Sequence, residues 1–489
     1  MASSLAGRCG ADAASNLPRR SILGLDGAKT SRAAPLATAE GAGPIRLPGA
    51  LRSHVASMTA ARHAPAIAIA AVKDGVCVVI DALGYAGLPF EAGATGRTLF
   101  HLGSASKHFT AALIMQLARA GAIGLDDPLG SHARDIPASL ASMPVRALLS
   151  HTSGAPEYEA LPGYEGDRPI PRGAFLTRMA ALPAEFEPGD AWSYSNTGYV
   201  LLGYLISDVT GSTYRQALTD SLVRPAGFLE ARVDDAPAVI AGRAEPYVLA
   251  DKAVRHALMM EADFSGWPDG GMLMSARDAV RWELALQRGS VIPPESLTRM
   301  TTSVVLSTGR ACAYGFGWRI DQVAGRAIHY HSGSVPGFMS FYLRVPSERL
   351  GVVVMTNLGS AGARSLVAQV AQEVAEWAAP GSTPLSLSPI ADSEPGLTAE
   401  ARGMVLRGDQ ALPPARFASE IAVLLARDAA AKATPPNRTS SGLGAFDLVE
   451  AFAEGPCTVR RYRCVYPDGL EHLAFAYTAQ GQIYRVRSI

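Results

Sequence analysis

FHLGSASKHFTAALIMQLA, residues 100–118, is the stretch on which the reading of this chain turns. Ser104 follows Gly103 and precedes an apolar run at helical spacing: Phe109, Ala112, Leu113, Ile114 and Leu117. If Ser104 opens that helix, Lys107 lies one turn on and on the same face, within reach of the hydroxyl. A serine is a poor nucleophile until a base takes its proton, and a desolvated lysine beside other cations can be that base. The helix start also carries partial positive charge, which favours a developing alkoxide. S-x-x-K alone has a plain alternative, serine as an N-cap and lysine as a surface residue. The rest of the chain has to decide.

Working outward, the pattern predicts a helix over residues 51–62. Strands follow at Ala66 to Val72 and Val76 to Leu83, joined at Asp74-Gly75, a hairpin signal. After the Ser104 helix, which ends near Gly121, the chain is mainly helical to about residue 310. Within that part Asn196 reads as the N-cap of a run through Tyr199, Leu202, Leu205, Ile206 and Val209. Strand character returns at Ala327 to Tyr330, Phe338 to Arg344 and Gly351 to Thr356, before a helix from Ser365 to Trp377. Two early and three late strands share one antiparallel five-stranded sheet only if the ends of this unit meet. The helical middle is then an inserted lobe, and a cleft between sheet and lobe is the natural ligand site. Residues 381–397 are rich in Pro and Ser and read as a linker. Residues 398–489 read as a small accessory domain of helix plus curved sheet, with turns at Asp468-Gly469 and Gln480-Gly481. The expected division is a tail over 1–45, a main domain over 46–380, the linker, and this accessory domain.

Composition narrows the function. Forty-four basic residues balance 44 acidic ones in 489, so no broad field for nucleic acid or anionic membrane arises. Walker-type loops and the G-x-S-x-G elbow are missing. No apolar run reaches the roughly 18 residues of a membrane span. The five cysteines form no C-x-x-C pair and the ten histidines no ligand spacing, so neither a metal nor another cofactor is expected. Arg19-Arg20 to Leu25 resembles a twin-arginine export start, and Ala37-Thr38-Ala39 suits cleavage, but Asp26 and Lys29 interrupt the apolar segment such a signal needs. Export, periplasmic or secreted, is favoured over a cytoplasmic location, with a disordered tail as the alternative.

Two more short motifs follow the serine: Trp192-Ser193-Tyr194-Ser195-Asn196, and Tyr330-His331-Ser332-Gly333-Ser334 at a strand end. Each alone reads as a turn or a polar strand end. Together with Ser104 and Lys107 they resemble the S-x-x-K, Y-x-N and K/H-x-G motifs of the penicillin-recognising serine hydrolases. That superfamily includes class C β-lactamases, D-alanyl-D-alanine carboxypeptidases and family VIII-type esterases. Leu148 to Gly154 (LLSHTSG), Gly270-Gly271 through Asp278 and Tyr314 to Trp318 (YGFGW) agree with it. The resemblance covers roughly residues 46–380. It implies an α+β, β-lactamase/transpeptidase-like fold, with Ser104 as nucleophile and Lys107 and Tyr194 sharing the proton work. Asn196 would bind the substrate amide, and the backbone N–H groups of Ser104 and Ser334 would form an oxyanion hole. His331, where many relatives have lysine, would contribute according to pH near its own pKa. His331-Ser332-Gly333-Ser334 is similar to the H-T-G-T of the carboxypeptidase branch. There an arginine after Y-G-x-G-x, here Arg319, helps hold a peptide carboxylate, and Ser332 and Ser334 add hydroxyls.

The resemblance therefore implies a serine hydrolase most similar to a D,D-carboxypeptidase, penicillin-binding and acting on a small-molecule or peptide substrate. A carboxylesterase or a β-lactamase on the same scaffold, and a non-catalytic penicillin- or peptidoglycan-binding sensor, are the competing readings. Oligomeric state is left open.

Overall fold

The strand Ala66–Lys73 (β1) is apolar at every position but its last because both of its faces are buried. Ala66, Ala68, Ala70 and Val72 enter one core, and Ile67, Ile69 and Ala71 the other. An alternating strand would expose one face; a continuous apolar run belongs to the middle of a covered sheet. The computed structural model describes residues 45–161, 164, 170–235, 237–258, 268–407, 412–422, 424, 442–467 and 469–489. The Arg19-Arg20 segment and Asp468 of the expected turn lie outside these.

β1 is flanked by Val76–Gly87 (β2) and Leu350–Thr356 (β6). Beyond β6 come Phe338–Val345 (β5), Arg326–Val335 (β4) and Arg319–Val323 (β3), and a two-residue strand, Ala92–Gly93, edges β2. All pairings are antiparallel. The ends of the unit do meet: Thr356 donates its hydroxyl to the Ala66 carbonyl at 2.5 Å. The sheet has seven strands, wider than the five expected, and the two additions are both edges. RIDQV at 319–323 has no apolar period to announce it, and Ala92–Gly93 is too short to carry one.

Gly49–Ala61 (α1) and Ala361–Ala378 (α5) cover one face of the sheet. α5 does so with Ala363, Leu366, Val367, Val370, Ala371, Val374 and Ala375, an i, i+3, i+4 stripe. Lys107–Arg119 (α2), Asn196–Thr210 (α3) and Ala276–Arg288 (α4) build the other core with the helical insertion. Asn196 is the first residue of α3 and not its cap. Ser195 caps the helix instead, accepting from the Gly198 N–H at 3.1 Å.

Residues 381–397 are fastened to α5, where Glu376 accepts from the backbone N–H groups of Gly381 and Thr383 at 2.7 and 2.6 Å. Phe446–Glu454, Cys457–Tyr466, Gly469–Tyr477 and Ile483–Ser488 (β7 to β10) form a four-stranded antiparallel meander. The helix Pro395–Arg407 packs on it through Leu397, Ala401 and Met404. The meander is pinned to the main sheet by buried charge. Arg461 pairs with Asp321 of β3 and with Glu450, each at 3.0 Å, and Arg487 also reaches Asp321. The Tyr330 hydroxyl donates to the Ser488 carbonyl at 2.8 Å. Cys77, Cys312 and Cys457 are buried free thiols, and no described helix is long and apolar enough to cross a membrane.

Candidate active site

Gly103–Ser106 is a turn of 3₁₀ helix, and α2 begins only at Lys107. Ser104 therefore precedes the α-helix instead of opening it. On three residues per turn, positions i and i+3 eclipse, so this turn stacks Lys107 under Ser104 more directly than an α-helix would. Gly103 adopts φ +53°, and a Cβ there would lie 2.6 Å from the Ser334 nitrogen. A Cβ on Gly333 would meet the Leu102 carbonyl oxygen at 1.7 Å. Two missing side chains thus let the serine turn and the end of β4 touch backbone to backbone. Ser340 fastens the contact, its hydroxyl donating to the Leu102 carbonyl at 2.6 Å.

Lys107 is fully buried. Its Nζ stands 3.5 Å from Ser104 Oγ, 2.7 Å from Asn196 Oδ1 and 2.8 Å from the Asp269 carbonyl. It also lies 4.8 Å from the centre of the Tyr194 ring. The Tyr194 hydroxyl is buried and makes no hydrogen bond among the described residues. His151 holds the turn that carries Tyr194 from both sides. Its Nδ1 accepts from the Ser195 N–H at 3.1 Å, and its carbonyl accepts from the Ser193 N–H at 3.0 Å. Burial, then the charges of Lys107, His331 and Arg319, hold the His151 imidazole well below its ordinary pKa, so it accepts as a neutral ring.

Three carboxyl groups surround this amine, none of them singled out from the sequence. Glu159 Oε1 accepts from Asn196 Nδ2 at 3.2 Å, and Glu157 accepts from the Asn196 N–H at 2.6 Å. Asp269 accepts from the Tyr158 hydroxyl at 3.0 Å. Burial, reinforced by Glu159, pushes Glu157 up to about 8, and burial also raises Glu159 and Asp269. The available signal was two glutamates around a tyrosine, two residues beyond SHTSG, and an aspartate directly before Gly270-Gly271.

One cavity of about 880 Å³ is lined by Ser104, Asn196, Arg319, Ser332 and Ser334, with Glu159 and Asp269 at the same end. Arg319 lies over the Trp192 and Tyr194 rings, 5.6 and 5.8 Å from their centres. The cavity continues past β4 to α5 and to the meander, where Leu473, Phe475 and Val486 form its far wall.

His331 needs correction. Its ring is 1% exposed and does not line the cavity. Nδ1–H donates to the Ser332 carbonyl at 2.7 Å, and Nε2 stands 2.9 Å from the Tyr314 hydroxyl, which donates to it. Burial, followed by Arg319 and Lys107, holds the imidazole well below its usual pKa. It braces β4 against Tyr314 from behind the cavity lining. Gly333 likewise serves as backbone contact, not as a wall of the cavity.

A profile of the Beta-lactamase family matches residues 51–376. The chain belongs to this family. It is 31% identical over 331 residues to a D-aminopeptidase of Gluconobacter oxydans, a match covering 64% of this chain and 59% of that protein. It is 28% identical over 306 residues to a penicillin-binding protein of Bacillus subtilis, covering 59% and 67%. The chain thus spans less than two thirds of the length of the D-aminopeptidase. Among solved structures, an octameric penicillin-binding protein homologue from Pyrococcus abyssi has a TM-score of 0.58 at 21% identity, over 90% of this chain and 95% of that one. D-amino acid amidase from Ochrobactrum anthropi SV3 has a TM-score of 0.57 at 23% identity, over 68% and 98%. Both show the family fold, and the first extends the likeness beyond the profile match. The family is one of serine hydrolases and penicillin-binding relatives that act on small molecules.

Proposed function

We propose that this chain hydrolyses small amides or peptides through an acyl-enzyme on Ser104. The observation that carries the reading is the unbroken run Ser104–Lys107–Asn196–Glu159, with contacts of 3.5, 2.7 and 3.2 Å, in which Ser104, Asn196 and Glu159 line the cavity and Lys107 lies buried behind them. Ser104 Oγ bonds to the substrate carbonyl carbon while its proton passes to Tyr194. The N–H groups of Ser104 and Ser334 take the oxyanion, a contribution for which one donor is typically worth ~10²–10³ in rate. The C–N bond breaks as Tyr194 returns the proton to the leaving amine. Water then adds its hydroxyl to the acyl carbon, the bond from that carbon to Ser104 Oγ breaks, and the remaining proton goes to Ser104 Oγ.

The carboxylates Glu159 and Asp269 favour a substrate with a free ammonium group beside the scissile carbonyl, as in an aminopeptidase or amino acid amidase. The names of the D-aminopeptidase and amidase relatives support this. Arg319 favours a second reading, the D,D-carboxypeptidase, because its guanidinium suits a terminal carboxylate. D-Alanine amide, which has the ammonium but no carboxylate, separates the two. The aminopeptidase reading expects its hydrolysis, and the carboxypeptidase reading expects D-Ala-D-Ala peptides with a blocked N-terminus to be cut instead. Intact-mass analysis after incubation with penicillin or a p-nitrophenyl ester is expected to show an adduct that Ser104→Ala abolishes. An unmodified wild-type protein with both reagents would sink the acyl-enzyme.

A further inference from the structure

The strand that holds Ser334 against the serine turn also leads the cavity away from it. Tyr330, Ser332 and Ser334 of β4 all line that cavity, as alternate residues of a strand do when they share one face. Ser334 abuts Gly103, and Tyr330 is bonded to Ser488 of the meander. The stretch of strand between them spans about 13 Å. α5 runs alongside. Just before it, Gly359 meets Gly337, which follows β4, backbone to backbone. Further along α5, Gln369 approaches the meander, where a Cβ on Gly469 would lie 3.4 Å from its Oε1. The cavity is thus a corridor from Ser104 to the meander.

Two features at its far end remain incomplete. Met404, Leu470 and Leu473 line it yet are only half-buried, and Val486, also lining it, is 43% exposed. An apolar wall facing open space is completed by an apolar group. Gln372 of α5 lines the same corridor and is 4% exposed, and its Oε1 meets no donor among the described residues. A buried acceptor left in that state is unfavourable, and an N–H from a ligand would relieve it. A peptide brings both groups, a side chain for the wall and a backbone N–H for the glutamine.

We infer that the meander end of the corridor is a subsite for the leaving peptide, which it grips by a large apolar residue about four positions beyond the scissile bond. An extended peptide advances ~3.3–3.6 Å per residue, so the corridor takes about four. Gln372 Oε1 accepts from one backbone N–H of that segment. The inference rests on the acyl-enzyme and ammonium readings above and gives their substrate a length. The ammonium lies by Glu159 and Asp269, the scissile carbonyl at Ser104, and the leaving peptide along β4. A small amide fills only the first part.

The test measures kcat/KM for D-Ala-Gly-Gly-Gly-Leu-amide, D-Ala-Gly-Gly-Gly-Gly-amide and D-alanine amide, none of which has a terminal carboxylate. In wild type, leucine over glycine is expected to gain about tenfold or more, the scale of burying one such side chain. Val486→Asp is expected to bring that ratio to within about twofold of unity, and Val486→Ile to keep it. Gln372→Met, which preserves the shape of the side chain, should lower both peptides about fivefold relative to D-alanine amide, the size of one hydrogen bond. The burst with p-nitrophenyl acetate reports folding and Ser104 acylation in every variant. A leucine ratio near unity in wild type, or one that Val486→Asp does not move, overturns the subsite. Gln372→Met lowering all three substrates alike overturns the hydrogen bond. A normal burst with neither peptide cleaved also overturns the subsite, while the acyl-enzyme stands. A wild type without a burst overturns both.

Discussion

Lys107 has its three N–H directions filled by Ser104, Asn196 and the Asp269 carbonyl. In the proposed mechanism the Ser104 proton goes to Tyr194, whose hydroxyl is buried beside that amine and unpartnered among the described residues. Tyr194→Phe is therefore expected to lower kcat by ~10²–10⁴, the range for losing a general base, with KM little changed; stopped-flow acylation rates check it. Glu157 makes a separate prediction. Its folded pKa of about 8 lies above its ordinary 4.5, so the folded protein binds a proton that the unfolded chain releases. Stability should fall as pH rises from about 4.5 through 8, and Glu157→Gln should flatten that slope in urea titrations. That Ser104, Lys107, Tyr194 and Asn196 come together was legible because their short motifs, taken together, resemble one known combination. Glu157, Glu159 and Asp269 were not, since a loop carboxylate is ordinarily solvated and only the packed chain shows these against a lysine. The depth of His331 was equally hidden, being set by where Tyr314 lands.

Between elements, the site depends on β4 touching the turn before α2. Gly333→Ala would drive a methyl into the Leu102 carbonyl, 1.7 Å from its Cβ position. Either strand or turn must retreat. The expected cost is ~1–3 kcal/mol by the usual penalty for overpacking, measured by denaturant melts, together with a drop in kcat as the Ser104 and Ser334 N–H groups part. Gly333→Ala with unchanged kcat would separate the oxyanion geometry from this contact. The buried strands and the α5 stripe were readable because apolar runs and 3.6-residue periods are written locally. β3 was not, because an edge strand held by backbone pairing needs no apolar signature. The 3₁₀ turn was missed because it depends on Gly103 meeting Ser334, a residue far along the chain.

Across the whole molecule, the meander is joined to the catalytic sheet through Asp321. Burial alone would raise the pKa of this aspartate, but Arg487 and Arg461 outweigh burial and hold it below its ordinary value. The stabilisation is present above the unfolded carboxylate's pKa and is lost as pH falls through the lower folded one. Arg461→Met leaves Asp321 and Glu450 short of a partner in the interior. Breaking a buried pair in this way costs about 3–5 kcal/mol, and limited proteolysis is expected to cut first around the meander. Resistance equal to wild type would mean that Arg487 alone suffices. Because the meander walls the far end of the cavity, this loosening should also weaken peptide binding.

The partners Ala66 and Thr356, bonded across the centre of the sheet, are 290 residues apart, and this imposes an order on assembly. A ribosome adding 5–20 residues per second needs roughly 15–60 s to supply β6 after β1 has emerged. Through that interval the β1–β2 hairpin carries an open apolar edge, the template that invites wrong pairing or chaperone capture. The helical insertion, rich in local contacts, can collapse earlier and carry the Ser104 turn with it. The nascent chain thus holds Ser104 long before it holds Ser334, and the two are brought together only when the last strands close the sheet.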